Sequence, residues 1–149
     1  MREILFRGKT YDGKWEQGDL RHGGYTHNDS ETYIMRADIA LHNIPVDPKT
    51  VGQYTGLTDT NGKKIFEGDV LHLSCPAEHF DWNAVVSFGQ VDDEDEYTLG
   101  YRLDSLTEKS GTSLKVLLWI GCEDEGVYSE VIGNIYDNPE FLRGNVGGI

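Results

Sequence analysis

The residues through which this chain could do chemistry are five histidines, two cysteines and a scatter of aspartates and glutamates. Neutral imidazole is the commonest metal ligand among side chains, so His22, His27, His42, His72 and His79 come first. Their spacing argues against a metal site. There is no His-x-x-x-His pair to share a helix face and no Cys-x-x-Cys, and His22, His27 and Asp29 fall in a glycine-rich stretch that would need a ligand from elsewhere to hold zinc. They are expected to be solvated loop side chains. Asp69, Asp19 and Glu67 could supply paired carboxylates for acid or base work, which needs two groups in one cleft with pKa values pushed apart. An aspartate directly after glycine at a strand entry, as in Gly18-Asp19 and Gly68-Asp69, more commonly accepts from the N–H groups of a turn. Gly23-Gly24 and Gly147-Gly148 lack the strand-to-helix context and the following Lys-Ser/Thr of a phosphate-cradling loop. No catalytic, cofactor-binding or metal-ligating residue is assigned.

Arg2, Arg7, Lys9, Lys14 and Arg21 interleave with Tyr11 and Trp15, the mixture of cations and aromatics that tracks single-stranded nucleic acid. Such binding depends on neutralising phosphates, and the chain's formal net charge of −13 opposes it. Direct nucleic-acid binding is therefore not expected. The acid lies in the second half: residues 75–149 carry 4 basic and 15 acidic groups, against 9 and 11 in residues 1–74. Its densest runs are Asp92-Asp93-Glu94-Asp95-Glu96 and Glu123-Asp124-Glu125, each between extended apolar runs, which favours solvated loops that keep the protein soluble. The functional alternative makes Asp92, Asp93, Glu94, Asp95 and Glu96 a partner surface, or a mimic of the phosphate array that occupies a host DNA-binding protein.

At 149 residues the chain can bury a core without disulfides or metal, and no apolar run approaches the roughly 18 residues of a membrane span. The first residues, Met1-Arg2-Glu3-Ile4-Leu5-Phe6-Arg7, lack the apolar stretch of a secretory signal, so a cytoplasmic home is expected, with Cys75 and Cys122 as free thiols.

The element that must organise these residues is the stretch Val46–Leu73. Two extended runs, Val51–Leu57 and Lys64–Leu73, flank Asp59-Thr60-Asn61-Gly62, whose Asn-Gly pair tolerates the positive φ of a tight hairpin. Gly8…Asp12-Gly13-Lys14…Gly18-Asp19 echoes Gly56…Asn61-Gly62-Lys63…Gly68-Asp69, a repeated hairpin type. Further strands are expected at Ile4–Gly8, Lys14–Leu20, Thr32–Met35, Ala84–Phe88, Tyr97–Leu103, Leu114–Gly121 and Glu130–Tyr136. Asp47-Pro48 has the form of a helix N-cap followed by proline at the first helical position, predicting one turn through Val51; Asn138-Pro139-Glu140 predicts another through Leu142. Such spacing of short strands and turns indicates an all-β fold, a small barrel or paired sheets, with one or two short helical turns.

Three blocks carry a resemblance to a known family: Ile4-Leu5-Phe6-Arg7-Gly8; Val46–Leu57 with Asn61–Val70; and Val131–Glu140. Through them the chain resembles the YopX family of small bacteriophage and prophage proteins. Asp81–Gly126 matches little beyond strand pattern. The resemblance implies a mainly β fold with SH3-like barrel elements, a phage or prophage origin and self-association; it implies no known activity. On it the family-motif residues Gln53, Tyr54, Thr55, Gly56, Leu57, Asn61, Gly62, Glu67, Gly68, Asp69, Gly133, Asn134, Tyr136, Asn138 and Pro139 are expected to be structural.

The expectation is a single unit over residues 1–149, divisible into an N-terminal hairpin lobe (1–45), a barrel-like lobe (46–142) and a flexible tail (143–149). It would act in the bacterial cytoplasm as a non-catalytic interaction module without cofactors, away from the membrane, as a homo-oligomer or with a host or phage protein. Two competitors remain: a small metal-dependent hydrolase or nuclease using Asp69, Asp19 and a histidine, and the acidic DNA mimic.

Overall fold

The computed structural model describes residues 2–23, 31–36, 38, 42–75, 80–93, 96–106, 111–113 and 127–142. The expected strand at 114–121 and the run at 123–125 lie outside them. The chain divides into two compact units, Met1–Gly56 and Leu57–Ile149.

In the first unit, β1 (Phe6–Lys9), β2 (Trp15–His22), β3 (Thr32–Arg36), β4 (His42–Pro45) and β5 (Asp47–Thr58) form an antiparallel sheet in the order β4-β3-β2-β1-β5. β5 carries the chain into the second unit, where its end neighbours β6 (Lys64–Phe66). There β7 (Asp69–Cys75), β8 (Phe80–Asp93), β9 (Glu96–Ser105), β10 (Gly111–Ser113) and β11 (Tyr128–Asn134) form a second sheet in the order β10-β9-β8-β7-β11. The fold is all-β as expected. Among the described residues both sheets are open, so the barrel is replaced by two antiparallel sheets.

Alternation decides the faces of the second sheet. Leu71 and Leu73 on β7, Ala84 and Val86 on β8, and Leu103 on β9 point to one side and, with Ile65, form a fully buried cluster; Leu57, Trp82, Tyr101, Val127 and Val131 pack against it. Each buried leucine, isoleucine or valine of the cluster contributes roughly 1.5–3 kcal/mol by leaving water. His72, Ser74, Asn83 and Ser87 point to the other side.

Asp47-Pro48 does not begin a helix. Asp47 opens β5, where the pairing of Arg7 with Gly52 and Lys9 with Asp47 leaves extra residues on β5, a bulge. Asp47 Oδ1 accepts from Lys49 N at 3.1 Å, and Thr50 Oγ1 donates to Asp47 O at 2.6 Å while accepting from Lys9 N at 2.8 Å. The side chains thus replace the ladder bonds lost at the bulge, so sheet pairing outweighs a local capping signal. At Asn138 the signal holds: Phe141 N donates to Asn138 O and Leu142 N to Pro139 O, each at 3.1 Å, in a helical turn.

The two echoing turns have one geometry. Gly13 N donates to Thr10 O and Gly62 N to Asp59 O, both at 3.0 Å; Thr10 N donates to Lys14 O at 2.7 Å and Asp59 N to Lys63 O at 2.8 Å. Gly13 (φ +92°) and Gly62 (φ +82°) occupy the left-handed position that closes a three-residue loop. The echo ends there. Gly18 lies inside β2, where a β-carbon would fall 2.2 Å from Met35 O, whereas Gly68 (φ +88°) turns the chain between β6 and β7.

Cys75, buried at the end of β7, is disulfide-bonded. That corrects the expectation of free thiols, which rested on compartment and not on where the strands place sulfur.

Candidate functional site

Asp59 is the hub of the central hairpin. It is buried, and its Oδ1 accepts from Asn61 N at 2.9 Å and from Lys63 N at 2.8 Å, while Oδ2 accepts from Val131 N at 3.0 Å. Burial alone would raise its pKa; the three backbone donors and the nearby Lys63 charge outweigh burial and hold it below the ordinary carboxylate value. Next to it Thr60 N donates to Ser129 O and Ser129 N donates to Thr60 Oγ1, each at 2.9 Å. The hairpin tip therefore covers the outer edge of β11, a place where an unpaired strand would invite aggregation.

A second junction joins two of the family blocks. Gly68 N donates to Val86 O at 2.8 Å, Ile135 N donates to Gly68 O at 2.9 Å, and the Tyr136 ring lies over Gly68. Asn134 Oδ1 accepts from Tyr136 N (3.0 Å) and Asp137 N (2.9 Å), and Asn138 N returns to Asn134 O at 2.8 Å. Gly133 has no room for a side chain: a β-carbon would lie 2.4 Å from Asn138 Oδ1. Asp69 is buried and its Oδ2 accepts from Phe66 N at 2.8 Å, the turn-binding role expected of it. Glu67 sits half-buried in the same turn and Pro139 exposed at the start of the helical turn.

The remaining motif residues lie along β5. Tyr54 is buried and its N donates to Leu5 O at 2.8 Å; Gln53 pairs with Phe6; Thr55 is half-buried; Gly56 has φ +87°; Leu57 packs on the second unit's core.

The arrangement with most chemical content is one the sequence did not single out. His72, Asn83 and Asp81 come together on the polar side of β7 and β8: His72 Nδ1 is 2.7 Å from Asn83 Oδ1 and its Nε2 is 3.2 Å from Asp81 Oδ1. The strand pairing His72↔Asn83 and Ser74↔Asp81 places them, and the His72-x-Ser74 alternation was the only trace of it in the sequence. With Thr60, Asn61, Ser74, Tyr128, Ser129 and Glu130, His72 lines a concavity of about 170 Å³. Farther along the same side, Arg102 Nε and Nη2 donate to Asp104 Oδ1 at 2.8 and 2.5 Å, and Ser87 Oγ donates to Asp104 Oδ2 at 2.7 Å.

Asp19 is exposed on β2 in the first unit and Asp69 buried in the second. Among the described residues no group of three His, Cys, Asp or Glu side chains is placed to hold a metal ion. His22 is exposed on β2 and His42 exposed on β4, so both sit on strands and not in loops; His27 and His79 lie outside the described residues. Of the cation–aromatic mixture, Arg7 is buried with its guanidinium 4.7 Å from the Trp15 ring centroid, which engages it internally. Lys14 is 3.9 Å from Asp12. Asp92 and Asp93 end β8 and Glu96 begins β9, with Asp93 paired to Glu96; Glu94 and Asp95 lie outside the described residues. Among the described residues no helix is long and apolar enough to cross a membrane.

A family model described as YopX protein matches residues 5–143, nearly the whole chain. The chain belongs to the YopX family. Apart from Ile4, all three blocks fall within that match, so the Gly68–Tyr136 junction and the Asp59 hub are parts of a YopX domain. No curated protein matches. Among solved structures, the YopX chain is similar to protein EF1440 from Enterococcus faecalis, with 21% identity, a TM-score of 0.46, and coverage of 95% of this chain and 99% of that one.

Proposed function

We propose that this YopX chain is a non-catalytic protein-interaction module that associates with a second copy of itself through the far end of β8 and β9. One observation carries the proposal. The apolar side of these strands, which places Ala84, Val86 and Leu103 in the core, continues past it as Phe88, Tyr101 and Leu99, with Phe88 55% and Leu99 75% exposed. Phe88 and Tyr101 meet edge to face, with ring centroids 5.3 Å apart at 73°. Aromatic and aliphatic side chains clustered in the open on one face are the usual centre of a protein interface, and a patch continuous with the core serves both copies of a two-fold dimer.

The motif residues support a non-catalytic role. Asp59, Asp69 and Asn134 all spend side-chain oxygens on backbone N–H groups, which makes them parts of the scaffold and poor acids, bases or nucleophiles. Light scattering on the purified protein at tens of micromolar tests the proposal: a dimer mass supports it, and a monomer mass that salt does not alter removes self-association from it.

A further inference from the structure

We infer that the concavity at His72 is a receptor for one arginine side chain presented by a partner protein. Size decides the ligand class first. At about 170 Å³ the space is below the roughly 300–1,000 Å³ of small-molecule pockets, yet ample for one planar side-chain head. The lining decides the chemistry. Glu130 stands exposed at the concavity and has no ion pair among the described residues, while the neighbouring Asp81 is engaged by His72.

His72 is itself held from the opposite side by Asn83 and Asp81, so its ring forms a wall of the concavity. Across the paired strands, Glu130 lies opposite His72 and Tyr128 opposite Ser74. That places a carboxylate, a half-exposed aromatic ring and the oxygens of Thr60, Asn61 and Ser74 around one space. A guanidinium suits this set better than an ammonium: it is planar, stacks on an aromatic face and offers five donors in a fixed fork, whereas lysine presents a compact, strongly hydrated point charge. The net charge of this part of the sequence favours a cationic partner, because residues 57–149 hold 6 basic and 18 acidic groups. The inference is independent of self-association, which uses a different part of the second unit.

The test is an NMR titration of the isotope-labelled full chain with N-acetyl-arginine amide, N-acetyl-lysine amide and N-acetyl-citrulline amide, the last a neutral near-isostere of arginine. The expected result is saturable, millimolar binding of the arginine compound, with shifts centred on Thr60, Asn61, His72, Ser74 and Tyr128–Glu130. The lysine compound should bind at least about threefold more weakly and the citrulline compound at least about tenfold more weakly. Glu130→Gln, on an exposed side chain, should keep the rest of the spectrum and weaken arginine binding at least about fivefold. Shifts that do not saturate or fall elsewhere, equal binding of citrulline or lysine, or a Glu130→Gln variant that binds as well would each overturn the assignment.

Discussion

The ring of Tyr136 lies so close over Gly68 that a β-carbon at position 68 would sit 2.9 Å from Tyr136 Cε2. Gly68 also has φ +88°, and its carbonyl accepts from Ile135 N. Two sequence blocks some seventy residues apart are thereby locked to one backbone geometry. Gly68→Ala is expected to destabilise the second unit by about 2–4 kcal/mol, from backbone strain plus displacement of the ring. Chemical denaturation measures it. In a Tyr136→Ala background the same substitution should cost less, because only the strain remains.

Gly62 isolates the backbone term. Its φ is +82° and nothing lies within 4 Å of a β-carbon built there, so crowding plays no part. Gly62→Val should cost on the order of 1–3 kcal/mol, while Gly62→Asn, which tolerates the left-handed region, should cost well under half as much. Equal midpoints for the two variants would contradict the three-residue loop.

Asp59 gives a pH signature. Its folded pKa is lowered relative to the unfolded chain, so the stability it contributes is fully present above the unfolded value and is lost as pH falls through the folded one. Stability should therefore decline below about pH 4. Asp59→Asn, which cannot accept from Asn61, Lys63 and Val131 as a carboxylate does, should lose on the order of 1–3 kcal/mol at neutral pH and flatten that acid decline. An unchanged acid limb in urea melts from pH 3 to 7 would count against the hub.

Cys75 should be unreactive without reductant. Alkylation of the denatured, unreduced protein is expected to leave it unlabelled, and prior reduction should expose it while lowering stability by about 2–4 kcal/mol. Full labelling before reduction would contradict the bonded state.

How much of this was legible beforehand depended on the range of the interactions. The Asx-Gly-Lys turns were readable because the left-handed position selects glycine locally, and the strand runs because alternation reports one buried face. Asp47-Pro48 misled because its capping signal is local and the competing bulge against Arg7 and Lys9 is not. Asp59 was visible as a turn residue, but its bond to Val131 N spans 72 positions. The His72–Asn83–Asp81 cluster depended on the register of β7 on β8, which three polar residues in two strands do not announce. Gly18 and Gly68 looked equivalent because both precede aspartate; only the backbone separates a strand interior from a turn.

The central claim is self-association through the end of β8 and β9, and sedimentation equilibrium of wild type beside Phe88→Glu/Leu99→Glu tests it most directly. Both side chains are largely exposed, so the double variant should fold with a midpoint close to wild type. The expected outcome is a wild-type dimer at tens of micromolar and a monomeric variant at the same concentration. A wild-type monomer, or a variant that dimerises as well as wild type, would contradict it.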